Sequence, residues 1–439
     1  MVRFLAQETA SGILLLVATA AALIWANLPG EWGESYHVLW ETHVEMNLGS
    51  WVVIDKSLEA LVNDALMVLF FFVVGLEIKS ELVVGDLSSR RVAALPAIAA
   101  LGGMVAPALI FVMATAGAEG SNGWGVPMAT DIAFAVGVLA LLGPSIPQSL
   151  KLFLLTLAIV DDIGAILVIA AFYTRELQFT WLAAAVILWV LVVVLTRYKV
   201  WFTPVYAVIG VVLWYATFRS GVHATIAGVA LGLAAPARPL IGHRRFESVE
   251  DLLSGETADP AIYRDARWRV RESVAVTNRL ILVLSPWTSF VVIPIFALAN
   301  AGIRLSTDSL GNLWSSPVSL GVILGLVVGK PLGVTAATWL ALKFNLASLP
   351  EGLTMRHVLG GGAVAGIGFT VALFIARLAF VDAEGRPTAL VDQAVIGILA
   401  ASVLASLIGW FILRGIEPQR PIAADDEGDS VMAEPAVTS

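Results

Sequence analysis

Cysteine is absent from this chain of 439 residues, and histidine occurs only five times. The missing cysteine excludes disulfide bonds and thiolate metal sites, and the few scattered histidines argue against a zinc site. Charge is also scarce: Asp, Glu, Lys and Arg make up 14% of the residues, where a soluble domain carries about 25%. The net charge is −8 and no basic patch alternates with aromatic residues, so nucleic-acid binding is set aside.

Long apolar runs fill the chain instead. Hydrophobic residues make up 58% of it, and the mean hydropathy is +0.87. A helix that crosses a bilayer needs about 20 mostly apolar residues. Twelve candidate segments, of which the seventh and eighth are short, lie near residues 11–28, 58–78, 93–115, 124–143, 150–172, 179–197, 203–217, 221–236, 284–303, 317–342, 357–380 and 389–414. The sequence therefore predicts an all-α polytopic membrane protein with about twelve transmembrane helices.

Lysine and arginine concentrate in the connections that lie on the same side of this predicted bundle as the N-terminus. The positive-inside rule then places both termini in the cytoplasm. We expect a single transmembrane domain over residues 1–416, with an external hairpin at 44–54 and a charged cytoplasmic connection at 237–283. Residues 417–439 are acidic and rich in small side chains, which predicts a disordered cytoplasmic tail.

Two adjacent aspartates, Asp161 and Asp162, lie near the centre of the fifth apolar segment. A charged aspartate at mid-membrane costs roughly 2.5–3.5 kcal/mol on insertion scales. Neighbours on a helix point about 100° apart, so one carboxylate can face a water-filled cavity while the other faces a protein partner. Two such close carboxylates resist ionising together, which favours a site that holds protons when no cation is bound. The alternative is a polar pair that only packs helices together.

Lys330 lies deep in the tenth segment, too far from either end to reach the membrane surface comfortably. A buried lysine needs a carboxylate, and the aspartate pair is the obvious candidate. A purely structural ion pair between two helices is the alternative, and it is compatible with a transport role.

Two apolar segments carry interruptions. Pro127, Thr130 and Asp131 break the fourth, and five glycines between residues 360 and 368 weaken the eleventh. Two interrupted helices would point their half-helix ends at the midplane, where Asp131 compensates positive N-terminal ends and a cation such as Lys330 meets carbonyl ends. For the glycines alone, close helix packing explains the pattern equally well.

Four further polar residues are candidates for a funnel or a pH response. Asp64 lies inside the second segment and is expected to line the cytoplasmic funnel. Glu77 and Glu81 share one helix face at its cytoplasmic end, where they attract or sense cations or simply form a solvated helix end. His223 begins the eighth segment, and a packed or interfacial histidine is the simpler interpretation.

The sequence resembles the NhaA family of sodium/proton antiporters, whose fold contains inverted repeats. The resemblance covers nearly the whole membrane portion. The stretches that carry it, in chain order, are NDALMVLFFFVVGLEIKSELV (63–83), ATDIAFAVGVLALLGP (129–144), AIVDDIGAIL (158–167), GVHATIAGVA (221–230), PIFALANAGIR (294–304), GKPLGV (329–334) and AGIGFTVALFIA (365–376).

The resemblance implies export of Na⁺ or Li⁺ in exchange for two protons, without a cofactor, across the inner membrane of a bacterial cell. It implies that Asp162 is the principal cation ligand and that Asp161 pairs with Lys330 and releases it when the cation binds. Thr130 and Asp131 would lie where the interrupted fourth helix crosses its counterpart.

The same resemblance implies twelve helices, with the third to fifth repeated in inverted form by the tenth to twelfth, and a homodimer formed through the 44–54 hairpin. It assigns Glu77 and Glu81 to a pH-response region. The chain departs from the family pattern just before the ninth helix, where Ile281, Leu282 and Ser285 replace the expected acidic and histidine residues. The pH response is therefore expected to be shifted or weaker.

Three other functions remain as alternatives. A sodium-coupled symporter of an organic anion would need a large polar cavity. An intramembrane aspartyl protease would need two aspartates on separate helices, with a Gly-x-Gly-Asp motif that this chain lacks. A gated channel would conduct ions without strict exchange.

Overall fold

The structure of this chain is a computed structural model, and it describes residues 2–48, 51–143, 146–174, 177–198, 203–239, 272–305, 314–382 and 386–416. The predicted tail and residues 240–271 of the predicted cytoplasmic connection lie outside the described residues. In the described part of the chain, helices dominate and the one sheet has two strands.

The α-helices are numbered in chain order. They are α1 Val2–Ala26, α2 Glu31–Glu41, α3 Leu58–Leu61, α4 Met67–Val83, α5 Arg90–Ala114, α6 Ile132–Leu141, α7 Gln148–Phe172, α8 Phe179–Arg197, α9 Thr203–Arg219, α10 Thr225–Ala234, α11 Val276–Trp287, α12 Ile293–Asn300, α13 Pro317–Leu324, α14 Lys330–Lys343, α15 Met355–Ala365, α16 Phe369–Ala379 and α17 Ala389–Arg414. Short 3₁₀ helices cover Asp86–Ser88 and Ser121–Met128.

Three helices continue through a π-helical turn. Val62–Leu66 joins α3 to α4, Thr288–Val292 joins α11 to α12, and Gly325–Gly329 joins α13 to α14. A π-helical turn is wider than an α-helical one and is often found at functional sites. The third of these turns ends directly before Lys330, so it sets the direction of that side chain.

The membrane bundle predicted from the sequence is confirmed. Within the described residues, seven helices are long and apolar enough to cross a membrane, and three bent helix pairs pass the same test together. Two shorter apolar helices, 204–219 and 225–234, match the seventh and eighth predicted segments. They are shorter than a bilayer requires, so the count of twelve spans stays a prediction.

Two helices begin well before the predicted start of their segments. The first segment was expected to begin near residue 11, whereas α1 begins at Val2. The ninth segment was expected to begin at 284, whereas α11 begins at Val276 and continues through the π-helical turn and α12 to Asn300. The first turn of α11 contains Thr277, Asn278 and Arg279. These polar residues lower the local hydropathy, so a search for apolar segments starts the helix too late. Residues 276–283 therefore belong to the helix and not to the connection.

A β-hairpin precedes the second long helix. Its strands, β1 His43–Leu48 and β2 Trp51–Ser57, are antiparallel, with His43 opposite Ser57 and a bulge after Met46. The hairpin leads directly into α3, where the Ser57 hydroxyl accepts a hydrogen bond from Ala60 N at 3.2 Å. This serine cap satisfies one of the free amides at the start of the helix.

Helices α5 and α14 pack with their backbones almost in contact. A Cβ atom built on Gly333 would lie 2.2 Å from the carbonyl oxygen of Gly102, and one built on Gly102 would lie 2.3 Å from that of Gly333. Small residues allow this close approach between membrane helices. Because Lys330 lies one turn before Gly333, this contact fixes the depth and direction of the lysine.

We expect Gly333→Ala to destabilise the protein by about 1–3 kcal/mol, because the new methyl group forces the two backbones apart. The measurement is thermal unfolding in detergent. Gly137→Ala in α6 is the matched control, since a Cβ there meets nothing within 4 Å and alanine favours a helix. Equal melting temperatures for the two variants would contradict the proposed backbone contact.

Candidate functional site

Two broken helices meet at the centre of the bundle. The 3₁₀ helix Ser121–Met128 and α6 are bent by 43° at residues 129–131, and α15 and α16 are bent by 50° at residues 366–368. The breaks touch: the backbone N–H of Asp131 donates to the carbonyl oxygen of Ile367 at 2.6 Å. A Cβ on Gly368 would lie 3.0 Å from the carbonyl oxygen of Ala129, so glycine permits the crossing.

Asp131 caps both half-helices that begin at this crossing. One of its carboxylate oxygens accepts a hydrogen bond from Phe134 N, in the first turn of α6, at 3.2 Å. The other accepts from the Thr370 backbone N at 3.0 Å and from the Thr370 hydroxyl at 2.6 Å, in the first turn of α16. Asp131 is 3% exposed. A single buried carboxylate therefore faces the positive ends of two helix dipoles.

Lys330 provides the opposite charge. Its side chain is completely buried, and its Nζ atom lies 2.6 Å from Asp161 Oδ2. It also donates to the carbonyl oxygen of Met128, the last residue of the 3₁₀ helix. The ammonium group thus compensates the carbonyl end of one half-helix and one carboxylate of the aspartate pair.

The Thr130 hydroxyl lies between the two broken helices. It is 2.7 Å from Asp161 Oδ2 and 2.9 Å from the carbonyl oxygen of Ala365. A hydroxyl has one proton to donate, so it serves one of these acceptors at a time. The second oxygen of Asp161, Oδ1, is buried and has no partner among the described residues. Only one of the two carboxylate oxygens of Asp161 therefore has polar partners.

The side chain of Asp162 has different surroundings from that of Asp161. It lines a cavity of about 240 Å³, together with Thr130, Asp131 and Thr370. Asp161 is not among the described residues that line this cavity. The two neighbouring carboxylates therefore have different environments: Asp161 lies against Lys330, and Asp162 faces open space.

The cavity extends from Asp162 towards the end of α4. Glu77 and Glu81 line it there, and both are partly exposed. Two of the three residues that depart from the family pattern, Ile281 and Ser285, also line it, whereas Leu282 is 73% exposed and does not. An apolar and a small polar side chain thus border the mouth of the cavity.

Asp64 and His223 lie away from this cavity. Asp64 is at the opposite end of the 58–83 helix from Glu81, and its expected place in a cytoplasmic funnel stays a prediction. Its carboxylate lies 3.9 Å from Lys56 Nζ and 3.5 Å from His223 Nε2. His223 packs edge-on against Phe374, with ring centroids 5.0 Å apart.

Sequence reasoning did not single out Thr370, although it binds Asp131 twice. The sequence feature that could have indicated Thr370 is its position directly after the glycine-rich break, where a threonine can contact the crossing chain. It also overlooked the ion pair between Glu59 and Arg377, whose charged atoms are 2.6 Å apart. These two residues are 318 positions apart, so no local pattern relates them.

A multi-pass helical bundle with crossed broken helices, a buried lysine–carboxylate pair and a second carboxylate in a cavity defines a secondary ion transporter. Comparison with known proteins gives the family: the profile of the family Na⁺/H⁺ antiporter 1 matches residues 2–413. The chain belongs to this family.

Individual relatives agree with this assignment. The chain is 45% identical to Na(+)/H(+) antiporter NhaA 2 of Myxococcus xanthus (strain DK1622), over 97% of this chain and 92% of that protein. It is 44% identical to Na(+)/H(+) antiporter NhaA 2 of Sorangium cellulosum (strain So ce56), over 98% and 93%. It is also 44% identical to Na(+)/H(+) antiporter NhaA of Oleidesulfovibrio alaskensis (strain ATCC BAA-1058 / DSM 17464 / G20), over 95% of each.

We expect Lys330→Met to destabilise the protein by about 3–5 kcal/mol, because it leaves the Asp161 carboxylate buried without its counter-charge. The melting temperature in detergent measures this. The double variant Lys330→Met/Asp161→Asn should recover most of the loss, since both charges are then removed.

Lys343→Met is the matched control. Lys343 lies at the exposed end of the same helix, with its ammonium group 4.8 Å from the Trp339 ring. If Lys330→Met unfolded at the same temperature as Lys343→Met, the buried pair would not have the stabilising role assigned to it.

Proposed function

We propose that this protein exports Na⁺ or Li⁺ in exchange for H⁺, with two protons moved for each cation. The observation that carries the proposal is the unequal aspartate pair at the helix crossing. Asp162 faces a cavity that leads towards one end of the bundle, while Asp161 is paired with a buried lysine. The names of the relatives support the same exchange.

Competition for Asp162 explains how one site handles both ions. Its carboxylate is 6% exposed and lies beside Asp131 and Thr130. At a site as buried as this one, an isolated negative charge is costly unless a proton or a cation neutralises it. Na⁺ and Li⁺ prefer oxygen ligands, which the Asp162 carboxylate, the Thr130 hydroxyl and water in the cavity supply. Either a cation or a proton occupies the carboxylate, so the movement of one displaces the other.

Asp161 and Lys330 supply the second proton in this scheme. The free oxygen of Asp161 is one helix position from Asp162, so a bound cation draws Asp161 away from Lys330. The ammonium group then lies in an apolar bundle without its counter-charge, so a bound cation and the intact ion pair exclude each other, and the pair releases one proton as the cation binds. When the cation leaves, the pair takes up a proton and forms again.

This stoichiometry makes the exchange electrogenic. Two protons moving in for each cation moving out carry one net positive charge inwards. A membrane potential that is negative inside supplies about 2.3 kcal/mol per 100 mV for each such charge. The potential therefore drives cation export.

The size of the cavity argues against the organic-anion alternative. Sites for small organic molecules usually measure about 300–1,000 Å³, whereas the cavity at Asp162 is about 240 Å³ and includes the path to the surface. It suits a monatomic cation with some water. The two aspartates also lie next to each other on one helix and not on separate helices, which disfavours a protease.

We place the protein in the inner membrane of a bacterial cell, with both termini in the cytoplasm, so the mouth of the cavity near Glu81 faces the cytoplasm. Helix α8 fits direct contact with lipid, because only 11% of its apolar window is buried. We also propose a homodimer in which the 44–54 hairpin contacts its counterpart. Na⁺, Li⁺ and H⁺ are cargo in this scheme, and Glu77 and Glu81 attract cations to the mouth.

Asp162→Asn is expected to reduce Na⁺/H⁺ exchange at least about 100-fold, because the amide can hold neither a proton nor the charge of a cation. The measurement is dequenching of a pH-sensitive dye in proteoliposomes when Na⁺ or Li⁺ is added. Glu351→Gln is the matched control, since Glu351 is exposed and lies in the turn between α14 and α15.

Full exchange activity in Asp162→Asn would refute the proposed mechanism. A Na⁺ current in Asp162→Asn or in the parent without coupled proton movement would favour a channel instead.

A further inference from the structure

One end of the bundle is closed, and the closure lies along the same helix that lines the cavity. The second half of the 58–83 helix contributes Phe70, Val74, Glu77 and Glu81 to the cavity. The first half is engaged in polar contacts with distant segments. A path from Asp162 to the opposite side of the membrane must pass these contacts.

Helix α16 forms the other wall of this closed part. Thr370, Phe374 and Arg377 are spaced by four and three residues, so they share one face of the helix. Thr370 binds Asp131 at the crossing. Arg377 lies seven residues further along, which is about 10 Å at 1.5 Å per residue. This distance separates the site from the level of Arg377 along α16.

The layer nearest the site is aromatic. The Phe374 ring packs against Phe71 at 5.3 Å between centroids and against Phe296 at 6.3 Å. Phe296 and Phe374 are fully buried, and Phe71 is 3% exposed. This layer excludes water and ions from the path.

The next layer is a pair of amides. Asn63 Nδ2 donates to Asn300 Oδ1 at 3.1 Å, and Asn300 Nδ2 donates back to Asn63 Oδ1 at 2.9 Å. The pair joins the π-helical turn Val62–Leu66 to the end of α12. Both amides can form the same hydrogen bonds with water once they separate.

The outermost layer is the ion pair of Glu59 and Arg377. Its atoms Oε1 and Nη1 are 2.6 Å apart, and the side chains are only 19% and 13% exposed. Arg377 Nη2 also donates to the carbonyl oxygen of Asn300 at 3.1 Å, which ties this layer to the amide pair. The buried Arg377 Nε has no hydrogen-bond partner among the described residues, so the closed state leaves the guanidinium incompletely satisfied.

Polar pairs suit a contact that must open. Apolar side chains lose favourable burial when they separate into water. An ion pair that is partly buried recovers hydration of both charges on separation, so its net advantage in the closed state is small. The closed end therefore has an aromatic seal, held shut by two polar contacts that water can replace.

We propose that Glu59 with Arg377, and Asn63 with Asn300, form the outer gate of the transport path, which is shut in this structure and opens when the site faces the outside. The proposal rests on the transport function proposed above. It assigns to four residues the role of controlling access, without contact with the cation at its site.

The test uses the absence of cysteine from the chain, which allows a single-cysteine reporter without prior substitutions. Asn63→Cys removes the amide pair and places a thiol directly beneath the Glu59–Arg377 pair, so this background tests the outermost layer alone. Its labelling by a membrane-impermeant, positively charged thiol reagent, added outside right-side-out vesicles, measures opening of the outer gate. In this background, Glu59→Gln should speed labelling on the order of tenfold, because an open state populated at roughly 0.1–10% has room to rise.

Asp382→Asn in the same background is the matched control. It breaks an exposed carboxylate–arginine pair of similar length, Asp382 with Arg386 at 2.9 Å, on the same side of the bundle. Its labelling rate should equal that of Asn63→Cys alone. The charge exchange Glu59→Arg/Arg377→Glu should restore protection, which a general loss of folding would not allow. If Glu59→Gln labels no faster than Asp382→Asn, or if the charge exchange labels as fast as Glu59→Gln, the proposal is wrong.

A second experiment locks the gate. Asn63→Cys/Asn300→Cys, joined by a short bifunctional thiosulfonate, should lose exchange activity and regain it after reduction. Exchange that continues in the cross-linked protein would overturn the gate. If the unmodified protein shows no Na⁺-dependent proton movement, the proposed function fails, while the labelling experiment still decides whether the gate exists.

Discussion

The buried contact between Lys330 and Asp161 is the interaction on which the arrangement of this protein depends. Broken helices in a membrane leave backbone groups that water cannot satisfy. Here the lysine ammonium meets the carbonyl end of the 3₁₀ helix at Met128, and Asp131 meets the amide ends of α6 and α16. Two charged side chains thus stabilise both breaks, and Asp161 balances the charge of Lys330. The backbone contact between Gly102 and Gly333 supports this placement by fixing α14 against α5.

The division of roles between two adjacent aspartates follows from helix geometry. Residues one position apart on a helix point in directions about 100° apart, so a single helix, α7, presents one carboxylate to Lys330 and the next to the cavity. Two carboxylates on separate helices would change their distance whenever the helices moved. Placed side by side on one helix, they remain coupled in every state of the transporter. In the proposed mechanism, a cation at Asp162 is then always near enough to influence Asp161.

Two helices, the 58–83 helix and α16, each contribute both to the site and to the closed end of the bundle. The 58–83 helix lines the open cavity with its second half and closes the opposite end with its first half. Helix α16 begins at the crossing and ends at Arg377. In the proposed mechanism, a small rotation of these two helices relative to each other changes both ends at once, as alternating access requires. A shared wall therefore couples the site to both sides of the membrane through rigid helices.

The helical bundle, its charged residues and its helix breaks could be predicted from the sequence, because burial in a bilayer constrains composition. The apolar runs predicted the helical bundle, and Asp161, Asp162 and Lys330 stood out because charges at mid-membrane are costly. Asp131 and the glycines between 360 and 368 indicated the breaks. Other features depended on partners far away in the chain. The start of α11 at Val276 was missed because its first turn is polar, and the contact of Asp64 with His223 joins residues that are far apart in the chain.

What the sequence determined by itself is thus the class of fold and the identity of the costly residues, since both follow from local apolar length and from charge within it. The residues alone left open which aspartate faces Lys330 and which faces the cavity, because they do not define the rotation of α7 within the bundle. The family resemblance implied Asp161 for the lysine, and the tertiary structure shows the contact itself. It alone paired Asp131 with Thr370 and Glu59 with Arg377. Such pairs arise from the packing of helices hundreds of residues apart, and no period or spacing in the chain records them.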